Sequence, residues 1–360
     1  MWKNYLEKLD WILLTVTGLL LSSGLATFYA MGPDSHKVFV RQAGLIGIGI
    51  LVLIIISNID YRIFKNNTIP VVGFYVVSLI ALFMTLAERE IRGASSWLEF
   101  GGFRFEPSEF TKLALLILLA KYFSQKHVEI SRTKHIIVSG IYVGIPTILT
   151  LLQPDLGSVI VYIVIWIVML FAAGIQRKHL LAILMLGVII SSFGWFFALK
   201  PYQKARIVTF INPYLDSHGT GYNTIQSRIT FGSGRLTGTY FSKERRDIPV
   251  FVPEPYTDFT FSTLAQKFGL IGVLSFLTFV IILFTRIGSI TSNAQNNFAK
   301  LFGIGFMTII GIHILINGGM NVGILPITGI PFPFLSHGGS HLVMLMTGLG
   351  IVQSIRLRNI

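Results

Sequence analysis

Long runs of apolar residues alternate with short polar stretches from one end of the chain to the other. One example is WILLTVTGLLLSSGLATFYAM at 11–31, and another is LLAILMLGVIISSFGWFFAL at 180–199. A helix needs about 20 apolar residues to cross the hydrocarbon core of a bilayer, so runs of this length predict transmembrane helices. The ten predicted spans are approximately 11–31, 40–57, 69–87, 108–124, 135–152, 156–174, 179–199, 260–286, 298–318 and 338–356.

This pattern predicts an all-α polytopic membrane protein with ten transmembrane helices, in a single transmembrane domain over 1–360. A large extracytoplasmic loop is expected at about 200–259, between the seventh and eighth helices. The first apolar run is too long for the core of a signal peptide, so we expect it to remain as an anchor.

Composition agrees with this class, because 52% of the 360 residues are hydrophobic and only 12% are charged. The absence of cysteine excludes disulfides and thiolate metal sites. Lys and Arg concentrate on one set of loops, which the positive-inside rule assigns to the cytoplasm together with both termini. These residues are Lys3, Lys8, Arg62, Lys65, Lys121, Lys126, Arg132, Lys134, Arg177, Lys178, Arg286, Lys300, Arg356 and Arg358.

The predicted outer side is unusual in two ways. The 200–259 loop is also basic, which indicates either ordinary solvation or an anionic partner, and long loops influence orientation only weakly. Of 16 Asp and Glu residues, 12 fall outside and only four on the cytoplasmic side. This asymmetry suggests outward-facing chemistry. The four cytoplasmic carboxylates are Glu7, Asp10, Asp60 and Glu129, and the basic loop residues are Lys200, Lys204, Arg206, Arg228, Arg235, Lys243, Arg245 and Arg246.

The first stretch with candidate chemistry is RGASSWLEFGGFRFEPSEFTKLA at 92–114. Pro107 and Ser108 predict a helix start with Ser108 as cap, which sets Glu109 and Lys112 on one helix face. The pair is either a structural salt bridge or a charged site entering the membrane from outside. Trp97 fits an aromatic belt at the interface equally well.

Two further stretches lie at the predicted outer surface. In LLQPDLGSV at 151–159, Asp155 is expected to cap the next helix, and Gln153 offers donors and acceptors that satisfy either backbone or substrate. The glycines of FGSGRLTG permit turns and close approach of backbone amides to an anion, a weak signal on its own.

The stretch FVPEPYTDFTF at 251–261 places Glu254 and Asp258 at the mouth of the eighth predicted span. The simplest role for Asp258 is to cap that helix. The alternative is a general base, because partial desolvation at the water–lipid boundary makes a carboxylate more basic. Both roles are compatible, since one oxygen can cap while the other reacts.

The last stretch is GILPITGIPFPFLSHGGSHLVMLM at 323–346, where three prolines predict an extended segment before the tenth span. Ser336 and Ser340 flank a Gly pair that permits close packing, and Ser340 is a candidate cap. His337 and His341 give only weak evidence of a metal site, because no carboxylate is placed beside them by the sequence.

Four blocks together resemble the SEDS family of bacterial cell-wall polymerases, which includes RodA, FtsW and SpoVE. They are RGASSWLEFGGFRFEPSEFTKLA, LLQPDLGS, VPEPYTDFTF and NVGILPITGIPFPFLSHGGS. The resemblance, nearest to RodA, implies a peptidoglycan glycosyltransferase of the cytoplasmic membrane that polymerises lipid II on the outer face for cell elongation. It also implies a class B penicillin-binding protein as partner, and no nucleic acid is expected.

By motif, the resemblance makes Asp258 the essential catalytic carboxylate, with Glu109 and Lys112 as the charged positions beside it. This sequence departs from the family pattern at several positions. The family usually has His where Tyr256 stands, Tyr where His337 stands and Ser where His341 stands. It also has AEEFG in place of AQKFG, and its glycine-rich block has no counterpart of Arg235. Residues expected to bind substrate are Arg41, Arg92, Trp97, Arg104, Gln153, Glu254, Ser336 and Ser340.

The implied mechanism is a single inverting displacement in which Asp258 takes the acceptor hydroxyl proton and cations stabilise the pyrophosphate leaving group. No protein-bound metal is expected, although a Mg or Mn ion could share the work on the pyrophosphate. Two other classes remain open: a lipid II flippase or other transporter, and a scaffold for a transpeptidase. The absence of charge at predicted span centres counts against transport. A division-type polymerase is a further alternative to elongation.

Overall fold

The computed structural model describes residues 7–87, 97–100, 103–126, 133–197, 204, 208–216, 220–242, 250 and 252–358. Twelve helices and a two-stranded hairpin lie within these ranges, with 3₁₀ turns at Pro33–Ser35 and Pro213–Asp216. The helices are α1 Trp11–Ala30, α2 His36–Asn58, α3 Arg62–Asn66, α4 Thr68–Thr85, α5 Pro107–Gln125, α6 Thr133–Leu152, α7 Leu156–Ala172, α8 Arg177–Phe197, α9 Thr220–Ser233, α10 Thr260–Ser292, α11 Asn297–Val322 and α12 Gly339–Arg358. The strands are β1 Leu98–Phe100 and β2 Phe103–Phe105.

Eight helices in the described ranges are long and apolar enough to cross a membrane: α1, α2, α4, α6, α8, α10, α11 and α12. Two more occupy predicted spans. Helix α7 is apolar but has 17 residues, and α5 has 19 residues and carries buried charged side chains. The all-α, multi-span class is therefore confirmed, whereas the count of ten crossings stays a prediction.

The centre of the bundle is formed by α5, α11 and α12, which bury residues on every side. Outer helices bury a narrow face and expose large apolar side chains such as Ile54, Val77 and Phe83. An apolar exterior of this extent suits contact with lipid tails. The charged residues of α5 therefore lie in the middle of the bundle and away from lipid.

Helix α10 is broken near its start. Gly269 has φ of 65° and ψ of −166°, so the continuous apolar pattern of the predicted 260–286 span hides two helical pieces. The first piece, from Thr260 to Lys267, is buried at every residue. It holds the sequence next to Asp258 within the bundle, and the membrane-crossing piece begins after the break.

The segment 234–240, named here the strap, satisfies the helix ends that the break creates. The N–H groups of Leu270 and Ile271 donate to carbonyls of the strap at 2.9 and 3.1 Å. Strap N–H groups in turn donate to the carbonyls of Gln266 and Lys267 at 2.9 and 3.0 Å. Unpaired backbone groups are costly at membrane depth, so these bonds stabilise the break.

The strap also explains its glycines. A Cβ on Gly234 or Gly238 would lie 1.9 or 2.1 Å from a backbone oxygen of α10. The glycines of this block therefore permit a close approach to the backbone of the broken helix. The approach of an anion to its backbone amides stays a prediction.

Candidate active site

Helix α5 enters the bundle through a polar entrance. Pro107 occupies the first helical position as predicted, but the N-cap residue is Glu106 and no side chain caps the helix. The predicted cap at Ser108 is wrong, because its hydroxyl donates to Glu106 Oε1 at 3.0 Å. Ser340 is also not positioned as a cap, since it lies inside α12 and its Oγ accepts from Glu106 N at 2.9 Å.

One turn further, four side chains form what we name the charge cluster: Glu109, Lys112, His313 and His341. Lys112 Nζ donates to Glu109 Oε1 at 2.6 Å and lies 3.3 Å from His313 Nε2. His341 Nδ1 lies 2.8 Å from Glu109 Oε2. All four residues are buried. Each oxygen of Glu109 therefore has its own hydrogen-bond donor, and the pair predicted on α5 is more than an isolated salt bridge.

Helix α11 joins this cluster to Asp258. His313, Asn317 and Asn321 follow one another at intervals of four residues, and all three are fully buried. We name them the α11 polar stripe. Asn317 Nδ2 donates to the backbone carbonyls of Asp258 and Ile330, and Asn321 Nδ2 donates to the Asp258 carbonyl at 2.9 Å. Because one helical turn rises about 5.4 Å, the stripe places Asp258 close above the charge cluster.

Asp258 does not cap α10. The N-cap residue is Phe259, and no side-chain hydrogen bond caps the helix. Asp258 is a half-buried residue, and its backbone carbonyl is held by Asn317 and Asn321 of the stripe. The predicted capping role of Asp258 is therefore wrong, and its role as a general base stays a prediction.

The Pro-rich motif that precedes α12 packs against the 256–258 segment. Ser336 Oγ donates to the Thr257 carbonyl at 2.5 Å and accepts from Phe332 N at 3.0 Å. His337 N donates to the Tyr256 carbonyl at 2.7 Å. Two of the departures from the family pattern, Tyr256 and His337, therefore contact each other.

The imidazole of His337 points to a different helix from that of His341. Its Nδ1 lies 2.7 Å from Gln42 Oε1 on α2, so the two histidines noted together in the sequence separate in space. Burial, followed by the positive charge of Arg41, lowers the pKa of His337 below its usual range. The neutral imidazole is favoured there.

The remaining predicted residues lie around this centre. Gln153 is fully buried, and its amide donates to the Leu82 carbonyl at 2.8 Å, while Asp155 caps α7 through Ser158 N as predicted. Glu254 has φ of 53°, and its carbonyl accepts from Thr257 N and Phe259 N. A substrate-binding role stays a prediction for all of them, including the three exposed side chains and the one residue outside the described ranges. The exposed residues are Arg41, Trp97 and Arg104, and the residue outside is Arg92.

A short antiparallel hairpin, which the sequence pattern did not predict, carries Arg104. Leu98 pairs with Phe105 and Glu99 with Arg104 across the two strands. The second strand runs directly into Glu106 and α5. The second strand therefore connects the exposed Arg104 directly to the entrance of the charge cluster.

Glu106 has the most perturbed carboxyl group outside the membrane-crossing helices. Burial, then the negative charge of Glu109, raises its pKa to about 8, although Lys112 and the Ser108 hydroxyl act in the opposite direction. The side chain is therefore protonated at neutral pH and serves as a neutral neighbour of the charge cluster.

Among the described residues, Glu109, His313 and His341 offer possible metal ligands within 4.8 Å of one another. Lys112 already lies against two of these donors. A divalent ion at this position would be repelled by the buried ammonium group of Lys112. These donors therefore suit the Lys112 ammonium better than they suit a metal ion.

Comparison with known proteins decides the family. The profile of the cell cycle protein family named after FtsW, RodA and SpoVE matches residues 6–359. The chain belongs to this family. The resemblance recognised from the four sequence blocks is confirmed, and family membership covers almost the whole chain.

Among FtsW/RodA/SpoVE relatives, the peptidoglycan glycosyltransferase MrdB of Escherichia coli is 34% identical over 345 residues, covering 96% of this chain and 92% of that protein. Stage V sporulation protein E of Bacillus subtilis is 32% identical over 358 residues, covering 96% of each. Both matches extend across all four sequence blocks.

Solved structures of the family have the same fold. A chain of a peptidoglycan synthase complex matches with a TM-score of 0.84 and 28% identity, covering 98% of each chain. The rod shape determining protein RodA of Thermus thermophilus matches with a TM-score of 0.71 and 24% identity, covering 97% of this chain and 96% of that one. The second match supports the fold alone.

The α11 polar stripe was missed in the sequence. The apolar run predicted as the ninth span ends at 318 and hides His313 and Asn317 within it, while Asn321 follows its end. Three polar residues at intervals of four would have indicated one buried polar face on an otherwise apolar helix. That spacing was the available signal.

Proposed function

We propose that this chain is a peptidoglycan glycosyltransferase that polymerises lipid II on the outer face of the cytoplasmic membrane during cell elongation. Family membership and the peptidoglycan glycosyltransferase relatives support the activity. The observation that carries the proposal is the position of Asp258, whose backbone carbonyl is bonded to Asn317 and Asn321, one and two turns of α11 beyond the His313 of the charge cluster. A half-buried aspartate on a fixed backbone suits the role of a general base.

The reaction is a single displacement at the anomeric carbon of the donor. The acceptor hydroxyl oxygen forms the new C–O bond from the face opposite the pyrophosphate, and its proton goes to the Asp258 carboxylate. The bond between the anomeric carbon and the pyrophosphate oxygen breaks, releasing polyprenyl pyrophosphate. The product configuration is therefore inverted, as in the base half of an inverting glycosidase.

The charge cluster supports this step from inside the bundle. Glu109 keeps a negative charge near the base, while Lys112 supplies positive charge toward the leaving group. Arg41, Arg92, Arg104 and Trp97 are proposed to bind the pyrophosphate and sugar from the outer loops. Four further residues that are expected to bind substrate also make hydrogen bonds with backbone groups around the site, and their contact with the substrate belongs to the proposal. They are Gln153, Glu254, Ser336 and Ser340.

A Mg or Mn ion is proposed to accompany the pyrophosphate of the substrate, since hard divalent cations prefer phosphate oxygens and water. The chain places no closed set of oxygen ligands for it among the described residues of the site. The ion would therefore arrive with the substrate and leave with the product.

The proposed partner is a class B penicillin-binding protein in the same membrane, because the structural relative belongs to a complex that coordinates polymerization with crosslinking. Both termini are proposed to lie in the cytoplasm, following the distribution of Lys and Arg. With this orientation Asp258 faces the side where the polymer is made.

The test is a comparison of polymerisation with lipid transport. Purified chain is incubated with fluorescent lipid II in detergent, with and without the transpeptidase, and glycan length is read on a gel. The same protein in vesicles is assayed for lipid II crossing the bilayer. Glycan strands formed by the wild type support the proposal. Transport without any polymer in either condition contradicts it and favours a flippase.

A further inference from the structure

The second donor to Glu109 has a role that the family pattern does not supply. We infer that His341 is a positioning residue, which fixes the orientation of Glu109 and keeps its negative charge in place for the proposed reaction. His341 is 5% exposed, and its Nδ1 holds Oε2 of Glu109 at 2.8 Å. Lys112 holds the other oxygen at 2.6 Å. The Glu109 carboxylate therefore has one hydrogen-bond donor on its own helix, α5, and one on α12.

The direction of each hydrogen bond in the cluster follows from simple chemistry. The Pro331 carbonyl can only accept, so His313 Nδ1 at 3.2 Å carries the hydrogen. Neutral His313 then has a lone pair on Nε2, which accepts from Lys112 Nζ. The Glu109 carboxylate can only accept, so His341 Nδ1 carries a hydrogen as well. Every donor and acceptor named here is matched by its partner.

Metal binding does not explain the two histidines. Their rings are stacked, with centroids 4.7 Å apart and planes inclined by only 16°. A metal lies in the ring plane about 2.0–2.1 Å from each nitrogen. Two nearly parallel planes at this separation share no such point. The stacked pair is therefore suited to hydrogen bonding along the cluster.

The far nitrogen of His341 makes no competing contact. Nε2 has no hydrogen-bond partner among the described residues and is buried. Within the part of the chain that the structure describes, the ring is therefore held by the hydrogen bond from Nδ1 to Glu109 and by the stacking on His313.

Two substitutions separate positioning from packing. In His341→Asn, the side-chain NH₂ occupies the place of Nδ1 and still donates to Glu109. In His341→Leu, the donor is lost and much of the volume remains. His135 is 6% exposed and bonds to Tyr122 near the other end of α5, so His135→Leu is a matched control for the loss of a buried histidine.

The measurement is the rate of glycan formation from lipid II with equal amounts of folded protein. His341→Leu should lower kcat by about tenfold or more with KM within about twofold, because a hydrogen bond to a charged group is lost. His341→Asn should recover most of the rate, and His135→Leu should keep it. Equal rates for wild type and His341→Leu, or an Asn variant as slow as the Leu variant, would overturn the inference.

If His341→Leu does not fold, His341→Gln takes its place, because the side-chain NH₂ of Gln corresponds to Nε2 of the ring and not to the Nδ1 that donates to Glu109. Its kcat should be about tenfold below that of His341→Asn, with KM within about twofold. Equal kcat values for the two amide variants would overturn the inference. The inference rests on the proposed function, yet different results contradict the two. A wild type without polymerase activity contradicts the proposed function. An active wild type whose rate does not change on substitution of His341 contradicts only the positioning role.

Discussion

The side-chain amide of Asn321 donates to the backbone carbonyl of Asp258 at 2.9 Å, and its oxygen accepts from the backbone N–H of Ser262 at 2.9 Å. One buried residue of α11 thus holds both sides of the first turn of α10. The proposed base sits on a backbone that is fixed by a buried side chain of the helix bundle, so that a loop residue is held accurately enough for catalysis.

Replacing Asn321 by Ala should therefore slow polymerisation by about tenfold as well as destabilise the protein. The buried N–H of Ser262 loses its side-chain partner, at a cost of about 1–3 kcal/mol, and the Asp258 carbonyl is left with the longer bond from Asn317 at 3.2 Å. The rate per folded molecule and the thermal midpoint are measured together. Asn58→Ala is the control, since that exposed amide bonds only to the Ile54 carbonyl within its own helix. An Asn321→Ala protein with a normal rate per folded molecule would show that this clamp is dispensable.

Gly269→Ala should unfold at a clearly lower temperature than the wild type. The position has φ of 65°, and an added Cβ would lie 2.4 Å from the Gly238 nitrogen and the Leu236 oxygen of the strap. Backbone with this φ and with ψ of −166° is essentially restricted to glycine, and it costs another residue about 1–3 kcal/mol. Gly47→Ala, in the helical interior of α2 with nothing within 4 Å, should be neutral or slightly stabilising. Similar melting curves for the two variants would contradict the account of the break.

The transmembrane helices could be predicted because apolar runs of membrane length have no other stable conformation in lipid. The break in α10 could not, since Gly269 sits in an apolar run and its partner is a strap more than 25 residues earlier in the sequence. Hydrophobicity indicates which segments of a chain are buried. The path of the backbone also depends on which distant segment forms hydrogen bonds with its N–H and C=O groups. The starts of two other helices could not be predicted for the same reason. The N-cap residue of α5 is Glu106, and Ser340, a candidate cap, lies inside α12.

Lys112→Met should lower both activity and stability. The substitution leaves the buried Glu109 carboxylate without the ammonium at 2.6 Å, and breaking a buried ion pair costs about 3–5 kcal/mol. The double variant Glu109→Gln, Lys112→Met removes both charges and should recover part of the thermal midpoint while remaining inactive. A double variant no more stable than Lys112→Met would contradict the buried pair, and one with normal activity would contradict its role in the reaction.

Stability should fall as the pH rises from about 4.5 to about 8 and should change less above that, in part because of Glu106. Its pKa is raised to about 8 in the folded chain from an ordinary value of 4.5, so the folded state binds more protons between these values. The contribution is fully present below the ordinary pKa and is lost as pH rises through about 8. Glu106→Gln imitates the protonated form and should flatten this dependence in thermal melts at pH 6 and 8.5. An unchanged slope in the variant would contradict the assignment.

Much of the site could be predicted from motif residues, because Glu109, Lys112 and Asp258 were each marked by charge at the edge of an apolar run. Their connection could not be predicted, since it passes through His313, Asn317 and Asn321 on a helix with no conspicuous motif there. The capping role suggested for Asp258 was wrong for a related reason. Local spacing favoured a cap, but the helix begins one residue later and its first turn is held by α11.

The central claim is that the Asp258 carboxylate removes the acceptor proton, and its amide variant tests this most directly. Asp258→Asn keeps the shape of the side chain and the backbone bonds to Asn317 and Asn321, so the folded structure should be preserved. Its thermal midpoint should match that of the wild type, because Asp258 caps no helix. Lipid II polymerisation by equal amounts of the two folded proteins is then compared at saturating substrate. The account predicts a rate lower by about 10²- to 10⁴-fold in the variant, and a rate within about twofold of the wild type would contradict it.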